Sequence, residues 1–587
     1  MPDSRLTPET RSSALARLAA STTPGEELDI LVIGGGVTGA GIALDAVSRG
    51  LSTAVVEAQD WASGTSSRSS KLVHGGLRYL QMLDFKLVLE ALKERDLLLT
   101  QIAPHLVRPL PFLYPLRRRV FERAFVGAGI LLYDLLANLR PGKRALPFHR
   151  HLSRRGLTAA FPDFAQSAAV GAIEYWDANV DDARLVLTVM RTAVSYGAHA
   201  ASRTQIVELT KNADGAVDGA VVMDLETRET FPVKAKTVIS STGVWTEESQ
   251  ALADDEGGLR VLASKGIHIV VPRERISGTP GLILQTAKSV LFVIPWSRYW
   301  VIGTTDTPWN EDLMNPVATA TDIDYVIAEA NKVLSRPISR DDVIGTWAGL
   351  RPLLQPGTKE GTQSAKVSRE HTVASPVPGL VSIAGGKFTT YRVMAKDAVD
   401  FALGTAAKHN PSVTARIPLE GAHGFLTAER ELASVIETLG WDKAMTDHLF
   451  HRYGANIRDL AAIAKADPTT AAPLEHAPAY LRAEIVYAIT HEGALHLDDL
   501  MMRRTRMVYE FVNEATDALP EVAAIAQAAL GWSDEQTAHE VDLYRKRAAA
   551  DVKAAQQHDD ASASRERDKA QEIVPMVDLA GRVPHTH

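Results

Sequence analysis

The chain has 587 residues, 45% hydrophobic and 23% charged, with 63 Lys plus Arg, 71 Asp plus Glu and no Cys. That length allows several domains, the ordinary composition excludes wholesale disorder and collagen-like repeats, and a net charge of −8 does not suggest a nucleic-acid partner. Without cysteine there is no disulfide, thiol nucleophile, Cys-ligated zinc or thiolate-held iron–sulfur cluster, so redox chemistry falls to a bound organic cofactor or a Cys-free metal site.

Residues 1–28 are polar and Ala-rich with no apolar run of about 7–15 residues, so they read as an extension before the first strand and not as a secretory signal. Leu28 to Ile33 is a β-type run, followed by a glycine-rich turn, an apolar helical segment that stops at Gly50, and a second strand from Thr53 to Glu57. A Ser/Gly-rich loop over 62–70 leads to Lys71, His74 and a helix near 80–99. Strands dominate 202–297, in the spacing of an antiparallel sheet, and Leu380 to Gly385 forms one more before a helix that runs to about Leu403. From about 411 to 550 the texture is Ala-, Leu- and Glu-rich and helical, which predicts a separate domain. The segment 551–587 reads as a polar tail, a frayed helix or disordered chain without a core contribution. No stretch reaches 18 apolar residues, so no membrane span is expected, and the cytoplasm is the expected compartment.

The turn after the first strand is Gly34-x-Gly36-x-x-Gly39, and Glu57 closes the next strand 18 residues beyond Gly39. A strand, a glycine turn opening a helix, and a carboxylate about 20 residues on form the setting in which a pyrophosphate meets a helix N-terminus and a ribose meets an acid. The motif does not separate NAD from FAD. Gly243 and the pair Gly385-Gly386 each end a later strand, which suits the longer FAD, and the helix after Gly386 could place positive dipole charge near a reduced flavin.

With these blocks in view, the chain resembles the FAD-dependent glycerol-3-phosphate dehydrogenases of the aerobic, quinone-linked type, over about 29–544. The resemblance rests on the nucleotide turn Gly34 to Ala43, the signature GTSSRSSKLVHGGLRYL from Gly64 to Leu80, Lys265 to Arg273, Gly303 to Asp306, Gly349 to Leu353, Ser368 to Glu370, Gly385 to Arg392, and Leu500 to Met507 with its Arg503-Arg-Thr-Arg506. It implies an α/β plus α architecture: a Rossmann-like FAD-binding domain over 29–410, interleaved with an antiparallel-sheet substrate domain (about 75–160 and 255–370), and a C-terminal helical cap domain over 411–550. It also implies FAD as cofactor, a quinone acceptor, and a homodimer. Thr65, Ser66, Ser70 and Thr389 join the glycines and Glu57 as cofactor contacts.

Oxidising a secondary alcohol removes a hydride from carbon and a proton from oxygen, and a substrate phosphate needs cations, best supplied by forked guanidiniums. By analogy with the family, Arg351 and Arg369 are assigned to the phosphate, and Arg78 and Lys387 to the substrate–flavin region. His268 alternates away from Ile267, Ile269 and Val271 on its strand and is the leading acceptor for the hydroxyl proton, with His74 second. No metal site is expected. An oxidase that passes electrons to oxygen, and a flavin amine or amino-acid oxidase, remain the alternatives.

Residues 108–155 carry eleven Arg or Lys against two acids, and Phe121, Phe125, Ala128, Leu132, Leu135 and Leu139 recur at helical spacing. The stripe reads either as a core-facing helix or as a face lying on the anionic inner leaflet of the plasma membrane, where a lipid-soluble acceptor is at hand.

Overall fold

The computed structural model describes residues 3–77, 84–137, 145–253, 259–286, 290–355 and 370–579. Two sheets organise the chain. The first runs His371–Ala374, Leu380–Gly385, Thr230–Ser240, Leu28–Ile33, Thr53–Val56, His199–Ala201, all parallel except the edge strand His371–Ala374. A hairpin, Thr204–Lys211 with Val217–Asp224, extends it in antiparallel sense. Ile30 and Val32 pack on one face among the helices Val37–Ser48, Asp182–Ser195 and Tyr391–Leu403. Leu31 and Ile33 pack on the other. A strand buried on both faces has apolar residues at successive positions, which is why this one reads as a continuous run.

The second face is where the N-terminal reading changes. What reads as an extension is a helix, Pro8–Ala20, with Thr7 as a reciprocal cap and Ala14 and Leu18 buried on the nucleotide sheet. Its start signal, Thr7-Pro8, was present in the sequence. Its apolar face is only two residues four apart, too thin to stand out.

The second sheet is a ten-stranded, mostly antiparallel sheet ordered Thr307–Pro308, Val261–Pro272, Tyr299–Gly303, Val290–Trp296, Gly281–Gln285, Arg108–Leu116, Gly171–Asn179, Leu72–Val73, with Gly345–Leu354 paired to Val261–Pro272 and Arg150–Ser153 paired to Gly171–Asn179. Ile267, Ile269 and Val271 face the helix Ala320–Asn331, while Val270 packs on the opposite side with Trp347. His268 therefore turns away from the helix, to the face that carries Val270 and Trp347.

Beyond residue 410 every described element is helical. Buried ion pairs fasten this part to the nucleotide half. Arg504 grips Asp60 bidentately at 2.6 and 2.8 Å, Arg503 also reaches Asp60, Arg203 pairs Asp499 at 2.7 Å, and Arg506 pairs Asp181 at 3.0 Å and also contacts Asp182. His496 adds a clamp, bonded to Glu226 at 2.9 Å and Glu540 at 2.8 Å. Burial alone would lower its pKa, but the hydrogen bonds from Glu226 and Glu540 outweigh this and push it up to about 9. A raised folded-state pKa means the clamp contributes fully below the unfolded value near 6.5 and is lost as pH rises through 9. The urea midpoint should accordingly fall between about pH 7 and 9.5, and His496→Gln should flatten that slope; an unchanged slope rejects the clamp.

The tail also departs from the reading as polar, unpacked chain. The helix Asp534–Ala554 continues past residue 551, and a second helix, Asp560–Arg567, follows. Ala554 and Ala563 are buried with Val244, Trp309 and Leu350. Arg567 pairs Asp551 at 2.9 Å and Glu572 at 2.8 Å, and Lys265 pairs Asp560. Alanine carries too little apolar area to mark a helix as buried from composition, and ion pairs supply the rest of its docking.

Candidate active site

A cleft runs along the C-terminal ends of the parallel strands. Its wall includes Gly34, Gly36, Glu57, Thr65, Ser66, Gly243, Gly385, Gly386 and Lys387. Gly34 has φ +106°, a conformation that L side chains rarely adopt, and a Cβ on Gly39 would lie 1.8 Å from the Gly34 carbonyl oxygen. The glycines thus let the turn fold tightly under the helix Val37–Ser48, whose first amide, Val37 N–H, donates to Ser66 Oγ at 2.9 Å. Glu57 accepts from the Gly35 amide at 2.6 Å and the Gln59 amide at 2.8 Å, and burial raises its pKa. A cradle open at its glycines, a helix N-terminus and a carboxylate at one end together fit a dinucleotide.

The catalytic assignments divide into three local clusters. His268, 2% exposed, stacks on Trp347 with ring centroids 5.1 Å apart, and its Nε2 lies 2.8 Å from Ser70 Oγ. Its Nδ1 is buried with no hydrogen-bond partner. Burial, then the charges of Arg351 and Lys71, hold its pKa well below the usual imidazole range, so the ring is neutral. Arg351 donates to Thr304 Oγ1 at 3.0 Å and the Thr305 carbonyl at 3.1 Å, and its Nη1 lies 3.4 Å from Asp306. His74 donates its amide to Thr389 Oγ1 at 3.2 Å, and its ring meets Phe292 edge-on. Ser70 and Thr389 thus bond to the two histidine segments, and neither is on the cleft wall, whereas Lys387 is. Arg78 and Arg369 lie outside the described residues.

Lys71 escaped sequence reasoning although it stands inside the Ser/Gly signature. Its ammonium is buried, donates to Asp182 and to the Ser67 carbonyl at 2.7 Å each, and lies 4.8 Å from the Trp347 ring centroid. Burial and the nearby Arg506 push its pKa down to about 8. Lys71, Asp182 and Arg506 link the loop that carries Ser70 to the helical domain, and Lys71 and His268 share Trp347. Among the described residues no cluster of His, Asp or Glu could hold a metal.

The amphipathic stretch is the helix Phe121–Ala137. Its buried residues are Gly127, Ile130, Tyr133 and Asp134, while Phe121 is 75% and Phe125 69% exposed and Ala128, Leu132 and Leu135 are exposed too. The stripe faces solvent, beside exposed Arg117, Arg118 and Arg119. Leu139 lies outside the described residues. No described helix is long and apolar enough to cross a membrane.

Comparison with known proteins places these features together. The FAD dependent oxidoreductase family matches residues 29–396, and the C-terminal domain of alpha-glycerophosphate oxidase matches 412–537. A glycerol-3-phosphate dehydrogenase of Mycobacterium leprae (strain TN) is 47% identical over 572 residues, covering 97% of this chain and 96% of its own length. The mitochondrial glycerol-3-phosphate dehydrogenase of Homo sapiens is 37% identical over 541 residues, covering 89% of this chain and 73% of its own. Among solved structures, the glycerol-3-phosphate dehydrogenase from Bacillus halodurans complexed with FAD superposes with a TM-score of 0.73 at 29% identity, covering 93% of this chain and 98% of that one.

Proposed function

Since the chain belongs to the FAD-dependent glycerol-3-phosphate dehydrogenase family, we propose that it oxidises sn-glycerol 3-phosphate to dihydroxyacetone phosphate and passes the electrons to a membrane quinone. FAD, when bound, supplies the hydride acceptor. Gly34 and Gly36 make room for its pyrophosphate at the helix N-terminus, Gly39 lets the helix pack close under the turn, Glu57 takes ribose hydroxyls, and Gly243, Gly385 and Gly386 form the wall further along the cleft.

The observation that carries the chemistry is the state of His268: neutral, buried, fixed by Trp347 and Ser70, and with one ring nitrogen unengaged. With Nε2–H donating to Ser70 Oγ, the lone pair is on Nδ1, and Nδ1 takes the C2 hydroxyl proton. His74, whose amide is bonded to Thr389 Oγ1 and whose ring meets Phe292 edge-on, is the second candidate. Arg351, steadied by Thr304 and Thr305, is the phosphate contact and Lys387 on the cleft wall serves the substrate–flavin region; Arg369 and Arg78 are given the same two roles from the sequence alone.

Anaerobic addition of sn-glycerol 3-phosphate to the FAD-loaded protein should bleach the flavin band, with one dihydroxyacetone phosphate formed per flavin. No bleaching rejects the assignment. The exposed Phe121–Leu135 stripe with its arginines supports a quinone acceptor at a bilayer, with the chain peripheral on the cytoplasmic face. Sedimentation with anionic vesicles should bring the protein down at low salt, and Phe121→Ser with Phe125→Ser should abolish this. Stoichiometric peroxide in air without added acceptor would instead mark an oxidase. The homodimer remains part of the same proposal.

A further inference from the structure

The last described residues, beyond both matched families, form part of the cofactor site. Met576 and Leu579 line the cleft, next to Gln205 and on the side of Glu57 and Gln59. Three fastenings hold them there. Glu572 accepts from Arg567 at 2.8 Å and Asn315 at 2.9 Å, next in sequence to Met314, itself on the cleft wall. Arg228 donates to the Pro575 carbonyl at 2.8 Å. The Gln205 side-chain amide then meets the Val577 backbone twice, accepting from its N–H at 2.8 Å and donating to its C=O at 2.9 Å. Gln205 is 6% exposed, and its strand starts at Thr204, whose amide donates to the Glu57 carbonyl. The strap is therefore tied to the same strand end that presents the ribose-binding carboxylate.

We propose that residues 572–579 are a retaining strap over the adenosine end of the bound FAD, with Met576 and Leu579 as its contact side chains and Gln205 as its clasp. The inference rests on the FAD reading above. A buried amide that makes both of its bonds to one backbone unit fixes that unit in place, as in a single step of a sheet ladder. The apolar pair it holds against the cleft excludes water from the cofactor, so FAD leaves only when the clasp opens. The sequence carried a faint sign of this, since Ile573-Val-Pro-Met-Val-Asp-Leu579 is an apolar run in an otherwise polar tail.

The test is the rate of FAD release from the holoenzyme after dilution, followed by the fluorescence of free flavin. A chain ending at Ile573, and the full chain with Met576→Ser and Leu579→Ser, should each release FAD at least about tenfold faster than the natural chain. Gln205→Ala should speed release in the full chain and add little to the shortened one. Natural-rate release from the Met576→Ser, Leu579→Ser chain overturns the proposal whatever the shortened chain does, since truncation alone can loosen a fold. A natural chain that takes up no FAD fails the functional reading and this inference together, whereas natural-rate release from the variant fails this inference alone.

Discussion

Replacing His268 by Gln should slow anaerobic flavin reduction at saturating substrate by about 10²–10⁴-fold, the range expected when a positioned acid–base group is removed. Gln can keep a hydrogen bond to Ser70 Oγ, which lies 2.8 Å from the imidazole Nε2, but it has no basic nitrogen to accept a proton. FAD content and KM should change little, because His268 is not on the cofactor cleft wall and the proposed phosphate contact is Arg351. The pH dependence follows from the ring's surroundings. Burial and the adjacent cations keep His268 neutral well below the ordinary imidazole pKa, so its base form persists across about pH 6–8 and it contributes no acid limb there. Stopped-flow measurement at several pH values checks both statements. A His268→Gln rate within threefold of the natural one would move the proton to another group, with His74 next in line.

The second large effect concerns the joint between the two halves. Asp60→Ala should destabilise the protein by about 3–5 kcal/mol, because it leaves guanidiniums buried without their counter-charge. Asp60 is 1% exposed, Arg504 has no exposed side-chain surface, and Arg503 is also buried. Arg503 keeps Asp499, but Arg504 loses its bidentate partner and keeps only the Glu492 carbonyl. Urea unfolding of the holoenzyme measures the loss. Changing Arg504→Met in the Asp60→Ala background should recover part of it, since removing both members of a buried pair costs less than removing one. An Asp60→Ala chain as stable as the natural one would mean that the helical domain is held by its apolar contacts alone. Asp60 follows Glu57 by three residues, so loosening this joint should also weaken FAD binding.

The two effects differ in how far the sequence reveals them. The nucleotide turn is local: Gly34, Gly36 and Gly39 lie within six residues, and steric exclusion of a Cβ acts over the same short span. Strand alternation around His268 is local too, since the pleat fixes that its side chain opposes Ile267 and Ile269. The same rule could not say what packs on each side of the sheet, both of which are buried. The Phe121–Ala137 helix makes the point from the other direction. Its periodicity was plain, but whether the stripe faced core or solvent depended on what packed against Ile130 and Tyr133.

Glycine spacing and the texture of the chain determined a dinucleotide turn, a strand-rich middle and a helical C-terminal part, because each is set by interactions between near neighbours in the chain, while FAD and the domain architecture followed from the family resemblance. Only the tertiary structure decided that Lys71 and His268 share Trp347, that Asp60 anchors Arg504 444 residues away, and that Val577 returns to Gln205 across 372 residues. A charge or an amide has the same sequence signature whether it is solvated or paired. Its partner is chosen by the fold that brings distant segments within about 3 Å, where hydrogen bonds and ion pairs form.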